Sequence, residues 1–106
     1  MDPAPVTIPI TDELDLHSFA PRDVASVVGE YLDACRERGL LRVRLIHGRG
    51  KGVQRAVVWR TLRGRSDVVD YADASPMDGG WGATRVSLRS IELDSGGEVR
   101  AAGTAE

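Results

Sequence analysis

Two histidines occur in the chain, His17 and His47, and each follows a short apolar run that reads as a β-strand. Asp15 stands two residues before His17. On an extended chain that places both on one side, where the carboxylate can orient the imidazole. Imidazole is the side chain best suited to exchange protons near neutral pH. His47 opens the string His47-Gly48-Arg49-Gly50-Lys51-Gly52. Its glycines let the backbone approach a ligand closely and turn N–H groups inward. Arg49 and Lys51 add full charges, and the start of a helix just beyond adds positive potential. Such a loop suits a phosphate. Phosphodiester hydrolysis needs a base to activate water, positive charge on the phosphate and an acid for the leaving oxygen. His47 and His17 are the candidate acid–base pair, with Asp15 orienting one of them.

The loop spacing fits neither the phosphate-binding loop of nucleotide hydrolases nor the dinucleotide pattern, because Gly48, Gly50 and Gly52 are evenly spaced by two. A tight structural turn explains that spacing almost as well, and histidines at strand ends can be incidental polar residues. Gly79-Gly80-Trp81-Gly82 is a further glycine cluster. It is either a tight link needing positive φ or a backbone wall of the same rim, with Trp81 as a stacking platform for a base. Asp15 and one histidine could hold a divalent cation, magnesium or manganese. One carboxylate is too few for a two-metal site.

The elements that would position these groups follow from periodicity. Glu13–His17 reads as a strand with Leu14 and Leu16 on one face. Pro21 opens a helix at its first turn. Val24, Val27, Val28, Tyr31, Leu32 and Cys35 form its apolar stripe, and Gly39 ends it. Residues 41–46 form the next strand, parallel to the first because a helix separates them. In such a unit ligands bind off the carboxyl ends of the strands, where His17 and His47 stand. A second helix is expected from about Val53 to Leu62, with Val57, Val58, Thr61 and Leu62 inward. Arg55, Trp59 and Arg63 fall on its opposite side. Strands over 68–72 and 83–89 complete the pattern. Pro9 limits Val6–Ile10 to an edge strand or an extended arm.

Leu14-Asp15-Leu16-His17, His47-Gly48-Arg49-Gly50 and Gly79-Gly80-Trp81-Gly82-Ala83-Thr84 resemble, in order and spacing, the three signatures of the Smr (small MutS-related) domain family. The resemblance covers roughly residues 12–90. It implies an α/β two-layer sandwich, a βαβαββ core with a mixed four-stranded sheet, similar to the C-terminal domain of bacterial translation initiation factor three. Several members nick DNA and some act on RNA, so the resemblance implies a short stand-alone bacterial form acting as a nicking endonuclease on DNA or RNA, DNA first, in DNA repair or recombination. The implied functional positions are Asp15, His17, His47, Gly48, Gly50, Gly79, Gly80 and Gly82. The reading of the residues themselves adds Arg49, Lys51 and Gly52 for phosphate, and Trp81 and Arg55 as contacts for the nucleic acid. Ser18 stands where many members have glycine, and a side chain there could narrow the approach to His17. The alternative is a non-catalytic module that binds nucleic acid or a protein partner, with an exposed Trp59 marking the interface.

Charge supports an anionic partner. Ten basic residues lie between 36 and 65 with Glu37 as the sole acid, a net charge of +9, while the other 76 residues sum to −11. At 106 residues the chain suits one domain, expected over 12–93, between an arm at 1–11 and a polar tail at 94–106. No apolar run approaches the roughly 20 residues of a membrane span. Met1–Pro5 lacks the pattern of a signal peptide. Cys35, the single cysteine, excludes an internal disulfide and a Cys-rich zinc site. These features lead to the expectation of a cytoplasmic monomer or weak dimer.

Overall fold

The computed structural model describes residues 10–48 and 52–91. The chain runs β1 (Glu13–Asp15), α1 (Pro21–Glu37), β2 (Arg42–Ile46), α2 (Val53–Arg63), β3 (Val68–Asp73) and β4 (Ala83–Leu88). Two single 3-10 turns, Pro76–Asp78 and Gly80–Gly82, link β3 to β4. The strands lie in the order β1-β2-β4-β3. β1 and β2 are parallel, and β4 is antiparallel to both of its neighbours. This is the mixed four-stranded sheet of an α/β two-layer sandwich, as the sequence predicts. The arm expected over 1–11 falls outside the described residues except for Ile10, which packs against the core, and Thr11, whose carbonyl accepts the Tyr31 hydroxyl. The tail expected at 94–106 lies wholly outside them.

Helix α1 forms where its stripe is continuous. Val24, Val28, Tyr31, Leu32 and Cys35 are buried, and Pro21 supplies a preset φ in the first turn. Gly39 terminates it at φ 74°. Its N–H bonds to the Arg36 carbonyl, and the Leu40 N–H reaches back to Cys35 across 2.9 Å, which satisfies carbonyls the helix end would leave open. Alternation in the strands sends Leu16, Val43, Leu45, Val86 and Leu88 into one core beneath both helices. The other face of the sheet is open and carries Glu13, Arg42, Arg44 and Arg85. Strand β1 is shorter than expected. Its pairing ends at Asp15, although the Leu16 N–H still reaches the Ile46 carbonyl at 2.8 Å. His17 therefore stands just beyond the strand end.

Helix α2 differs in phase from the expectation. Val58 and Leu62 are its buried residues, but Trp59 is not on the outer face. It is half-buried against β3. Its ring meets Tyr71 edge-on, with centroids 4.9 Å apart, and its indole N–H donates to Thr84 Oγ1 at 2.9 Å. The exposed stripe of α2 is Val53, Ala56, Arg60 and Arg63. The helix lies over the β3–β4 half of the sheet, so the flank beside Val58 finds aromatic and hydroxyl partners. Trp59 belongs to the core margin, and no exposed tryptophan on α2 marks a protein interface.

Candidate active site

The parallel register of β1 and β2 sets Asp15 against Ile46. The residues just after these partners, His17 and His47, accordingly stand at one end of the sheet. Both line one cleft of about 220 Å³, together with Gly48, Gly52, Val53, Gln54 and Arg55. Hollows of about 320 and 450 Å³ lie on the open sheet face and at its edge, among Arg44, Asp78 and their neighbours. Neither contains a histidine, and both histidines of the chain line the smaller cleft.

Asp15 and His17 form a pair. Asp15 Oδ1 lies 2.7 Å from His17 Nδ1 and also accepts the His17 backbone N–H at 3.0 Å. These contacts hold the Asp15 carboxyl below the usual carboxylate range, the backbone N–H contributing most. With Nδ1 engaged by the carboxylate, Nε2 is the ring nitrogen left to meet a ligand. The His17 side chain is 75% exposed. Ser18 is exposed as well.

His47 is placed differently. It is 6% exposed. Its Nδ1 lies 3.1 Å from the Gly48 carbonyl and its Nε2 lies 2.8 Å from Thr84 Oγ1. Burial, with a smaller effect from the Arg55 charge, pushes its pKa below the ordinary value and outweighs the opposing Gly48 carbonyl and Asp73. The backbone N–H groups of His47 and Gly48 both donate to the Gly82 carbonyl, at 3.1 and 2.8 Å. The Gly48 N–H is therefore not directed at a phosphate; Gly48, at φ 84°, shapes the turn. Arg49, Gly50 and Lys51 lie outside the described residues. Gly52, at φ 78°, precedes α2 without any side-chain cap, so the first N–H groups of the helix face the cleft region unsupplied by a capping oxygen.

Arg55 is fixed by two contacts. Its Nε and Nη2 donate to Asp73 Oδ1 at 3.1 and 2.8 Å, and its guanidinium carbon lies 4.2 Å from the centre of the Trp59 ring. The remaining guanidinium N–H groups border the cleft. Gly79 and Gly80 have positive φ, 115° and 56°. Trp81, between Gly80 and Gly82, is 46% exposed. Because Gly82 holds the His47–Gly48 backbone, this turn stands on the same rim as both histidines.

Among the described residues, the basic block of the sequence does not form one surface of unpaired charge. Arg36 and Arg65 pair with Asp67, and Arg65 also with Asp33. Arg44 pairs with Glu13, and Arg55 with Asp73. Acids from outside the block thus neutralise several of its arginines in space.

Three partners were not legible as site residues: Thr84, Asp73 and Gln54. Thr84 carries a signal in hindsight. It is polar at a position that strand alternation turns inward, and it is 0% exposed. Among the described residues no group of three His, Cys, Asp or Glu side chains could hold a metal ion. Asp15 Oδ1, the natural first ligand, already accepts two bonds from His17.

A model of the Smr domain family matches residues 14–89. The chain is 38% identical over 77 residues to the endonuclease MutS2 of Thermus thermophilus, and 39% identical over 79 residues to that of Pelotomaculum thermopropionicum. These alignments cover 73% and 74% of this chain but 10% of each relative. Among solved structures, the Smr domain of Thermus thermophilus MutS2 superposes with a TM-score of 0.71 at 37% identity, over 74% of this chain and 99% of that one. YdaL, a stand-alone small MutS-related protein from Escherichia coli, gives a TM-score of 0.70 at 30% identity, over 74% and 65%.

Proposed function

The chain belongs to the Smr domain family, and we propose that it is a nicking endonuclease that hydrolyses a phosphodiester bond of DNA in the cleft between His17 and the start of α2. The observation that carries this reading is the Asp15–His17 pair on the same cleft as Arg55 and an uncapped helix N-terminus. A phosphate seated there meets the Arg55 guanidinium and the first N–H groups of α2, which favour an anion. Asp15 accepts the His17 Nδ1 proton and leaves Nε2 as the base. Nε2 takes a proton from a water molecule, the water oxygen bonds to phosphorus, and the bond from phosphorus to one ester oxygen breaks. The departing oxygen takes a proton from solvent water at the open mouth of the cleft, and exposed His17 returns the proton it holds to solvent, which restores the base. Developing charge on the phosphate is met by groups already in place, so little reorganisation is needed.

The matched relatives named as endonucleases share this domain as a tenth of their length, which supports a nuclease reading for the domain itself. Trp81, 46% exposed on the turn whose Gly82 carbonyl holds the Gly48 N–H, gives a base somewhere to stack. The test is nicking of a supercoiled plasmid by the purified protein, with and without EDTA, and with an RNA substrate in parallel. Nicked circles that fall by about 10²–10⁴-fold in His17→Ala support the proposal. No nicking above a mock preparation overturns it. Salt-dependent binding without cleavage would leave a nucleic-acid-binding module.

A further inference from the structure

We infer that Thr84 and Trp59 are positioning residues that hold His47 as the neutral Nδ1–H tautomer, so that this histidine sets the loop and does not transfer the proton. The assignment follows from what each atom can do. A backbone carbonyl only accepts, and an indole N–H only donates. His47 Nδ1 faces the Gly48 carbonyl at 3.1 Å, so Nδ1 carries the proton. Trp59 Nε1 faces Thr84 Oγ1 at 2.9 Å, so one lone pair of the hydroxyl is occupied. Thr84 Oγ1 lies 2.8 Å from His47 Nε2. The hydroxyl has one proton to give, and Nε2 has the lone pair to receive it. The chain of donation runs from Trp59 through Thr84 to His47 and ends on the Gly48 carbonyl.

Both alternatives leave a fault in a buried place. An Nε2–H tautomer would set the Nδ1 lone pair against a carbonyl oxygen. An imidazolium would make Thr84 accept twice, and its own proton would lack an acceptor among the described residues. Thr84 is 0% exposed, so water does not supply one, and a buried unsatisfied donor is costly. The charged and titratable groups facing His47 are Arg55 from α2, Asp73 from β3 and His17 across the cleft. The first disfavours an imidazolium and the second favours it; burial is the larger influence.

One consequence rests on the endonuclease reading. With both ring nitrogens engaged, His47 has no free nitrogen for substrate, and the paired acid–base role expected of it from the sequence falls to His17 alone. His47 instead clamps Gly48. Its ring holds the Gly48 carbonyl while Gly82 holds the Gly48 N–H, and the two together fix how the chain leaves β2 at Gly48.

The tautomer can be read without any activity, by nitrogen-15 NMR of the imidazole rings in the full chain at neutral pH. The expected spectrum shows His47 with a protonated Nδ1 and a bare Nε2. Thr84→Ser should keep that pattern, and Thr84→Val, which strips Nε2 of its donor, should shift the pH at which His47 protonates. Trp59→Phe frees the hydroxyl to turn, and should raise the pH at which His47 protonates. An Nε2–H form or an imidazolium in the wild type overturns the inference. So does an unchanged His47 titration in Thr84→Val. If Thr84→Val does not fold, an unchanged His47 titration in Trp59→Phe overturns it instead. In the nicking assay, Thr84→Val should slow turnover by up to about 10²-fold through misplacement, with the acidic limb of the pH profile unmoved. A shifted limb would return a proton-transfer role to His47. Absence of nicking in every variant would refute the endonuclease reading and leave the NMR result standing.

Discussion

Gly48 donates its N–H to the carbonyl of Gly82 across 2.8 Å, and that bond makes one structural unit of two glycine motifs far apart in the chain. The β2–β4 register causes it. Ile46 stands opposite Ala83, so the segment leaving β2 and the turn entering β4 come out side by side. The Gly79–Gly82 turn is therefore a support for the His47 loop, and its backbone conformation matters to a site it does not itself line.

Gly79 is the position where that support should fail first. Its φ is 115°, and a Cβ built on it would lie 3.1 Å from the Cβ of Ala83, itself 1% exposed. Gly79→Ala should destabilise the fold by roughly 2–3 kcal/mol, adding backbone strain to an overpacked contact. Gly39 also has positive φ, 74°, but open space around it, so Gly39→Ala should cost only about 1–2 kcal/mol. Urea denaturation of the two variants checks the order. Equal losses would show that the Ala83 contact relaxes freely.

The contrast between legible and hidden features has a physical pattern. Asp15 and His17 were readable because an extended chain repeats every two residues and the pair is local. Helix α1 was readable because five buried residues keep one phase over 17 residues. Helix α2 is 11 residues long, with Val57, Val58 and Trp59 adjacent. Periodicity could not choose among them, and the partners that decide the matter, Tyr71 and Thr84, come from strands distant in sequence. The arginine block was misleading for the same reason. Its neutralising acids, Glu13, Asp33, Asp67 and Asp73, are brought in by folding.

His47 should make stability depend on pH near neutrality. Its folded pKa lies below the ordinary 6.5, chiefly through burial. Above that value both folded and unfolded chains hold it neutral, and its contribution is full. As pH falls through 6.5 the unfolded chain takes up a proton that the native chain refuses, and stability drops until the native imidazole also protonates. The slope can reach about 1.4 kcal/mol per pH unit. Denaturation midpoints between about pH 7.5 and 5 should fall in the wild type and flatten in His47→Gln. Parallel curves would mean that the native imidazole protonates as readily as the unfolded one.

Asp67 governs the acid end. Arg65 grips it through two bonds, Nε to Oδ1 at 2.9 Å and Nη2 to Oδ2 at 2.7 Å, and Arg36 reaches Oδ2 at 3.2 Å. The Arg65 hydrogen bonds hold its carboxyl below the ordinary 3.8. Its contribution is complete above that value and is lost as pH falls through the lower native one. Asp67→Asn should cost about 2–3 kcal/mol near neutral pH, less than a fully buried pair, and should soften the acid transition below about pH 4. A variant with wild-type stability at neutral pH would show the network to be a solvated surface pairing.

The sorting of arginines yields a prediction that separates binding from folding. Arg36 and Arg65 tie α1 and the end of α2 to Asp67 and Asp33, far from the histidine cleft. Arg60 and Arg63 have no ion pair among the described residues and lie on the exposed stripe with Val53 and Ala56. At 1.5 Å per residue, they stand roughly 10 and 15 Å along α2 from its start at the cleft, a few nucleotides away along a bound strand. If that strand follows α2, each arginine neutralises a phosphate and releases a counterion. Arg60→Ala with Arg63→Ala should then weaken binding across all sequences and lower the salt slope of log K by about 2, with little loss of stability. Arg65→Ala should do the reverse, costing stability while leaving the slope in place. Fluorescence anisotropy of a labelled oligonucleotide over a salt titration, beside urea melts of the same variants, distinguishes the cases. An unchanged slope in the double variant, with a reduced slope in Arg42→Ala or Arg85→Ala, would place the strand across the open face of the sheet instead.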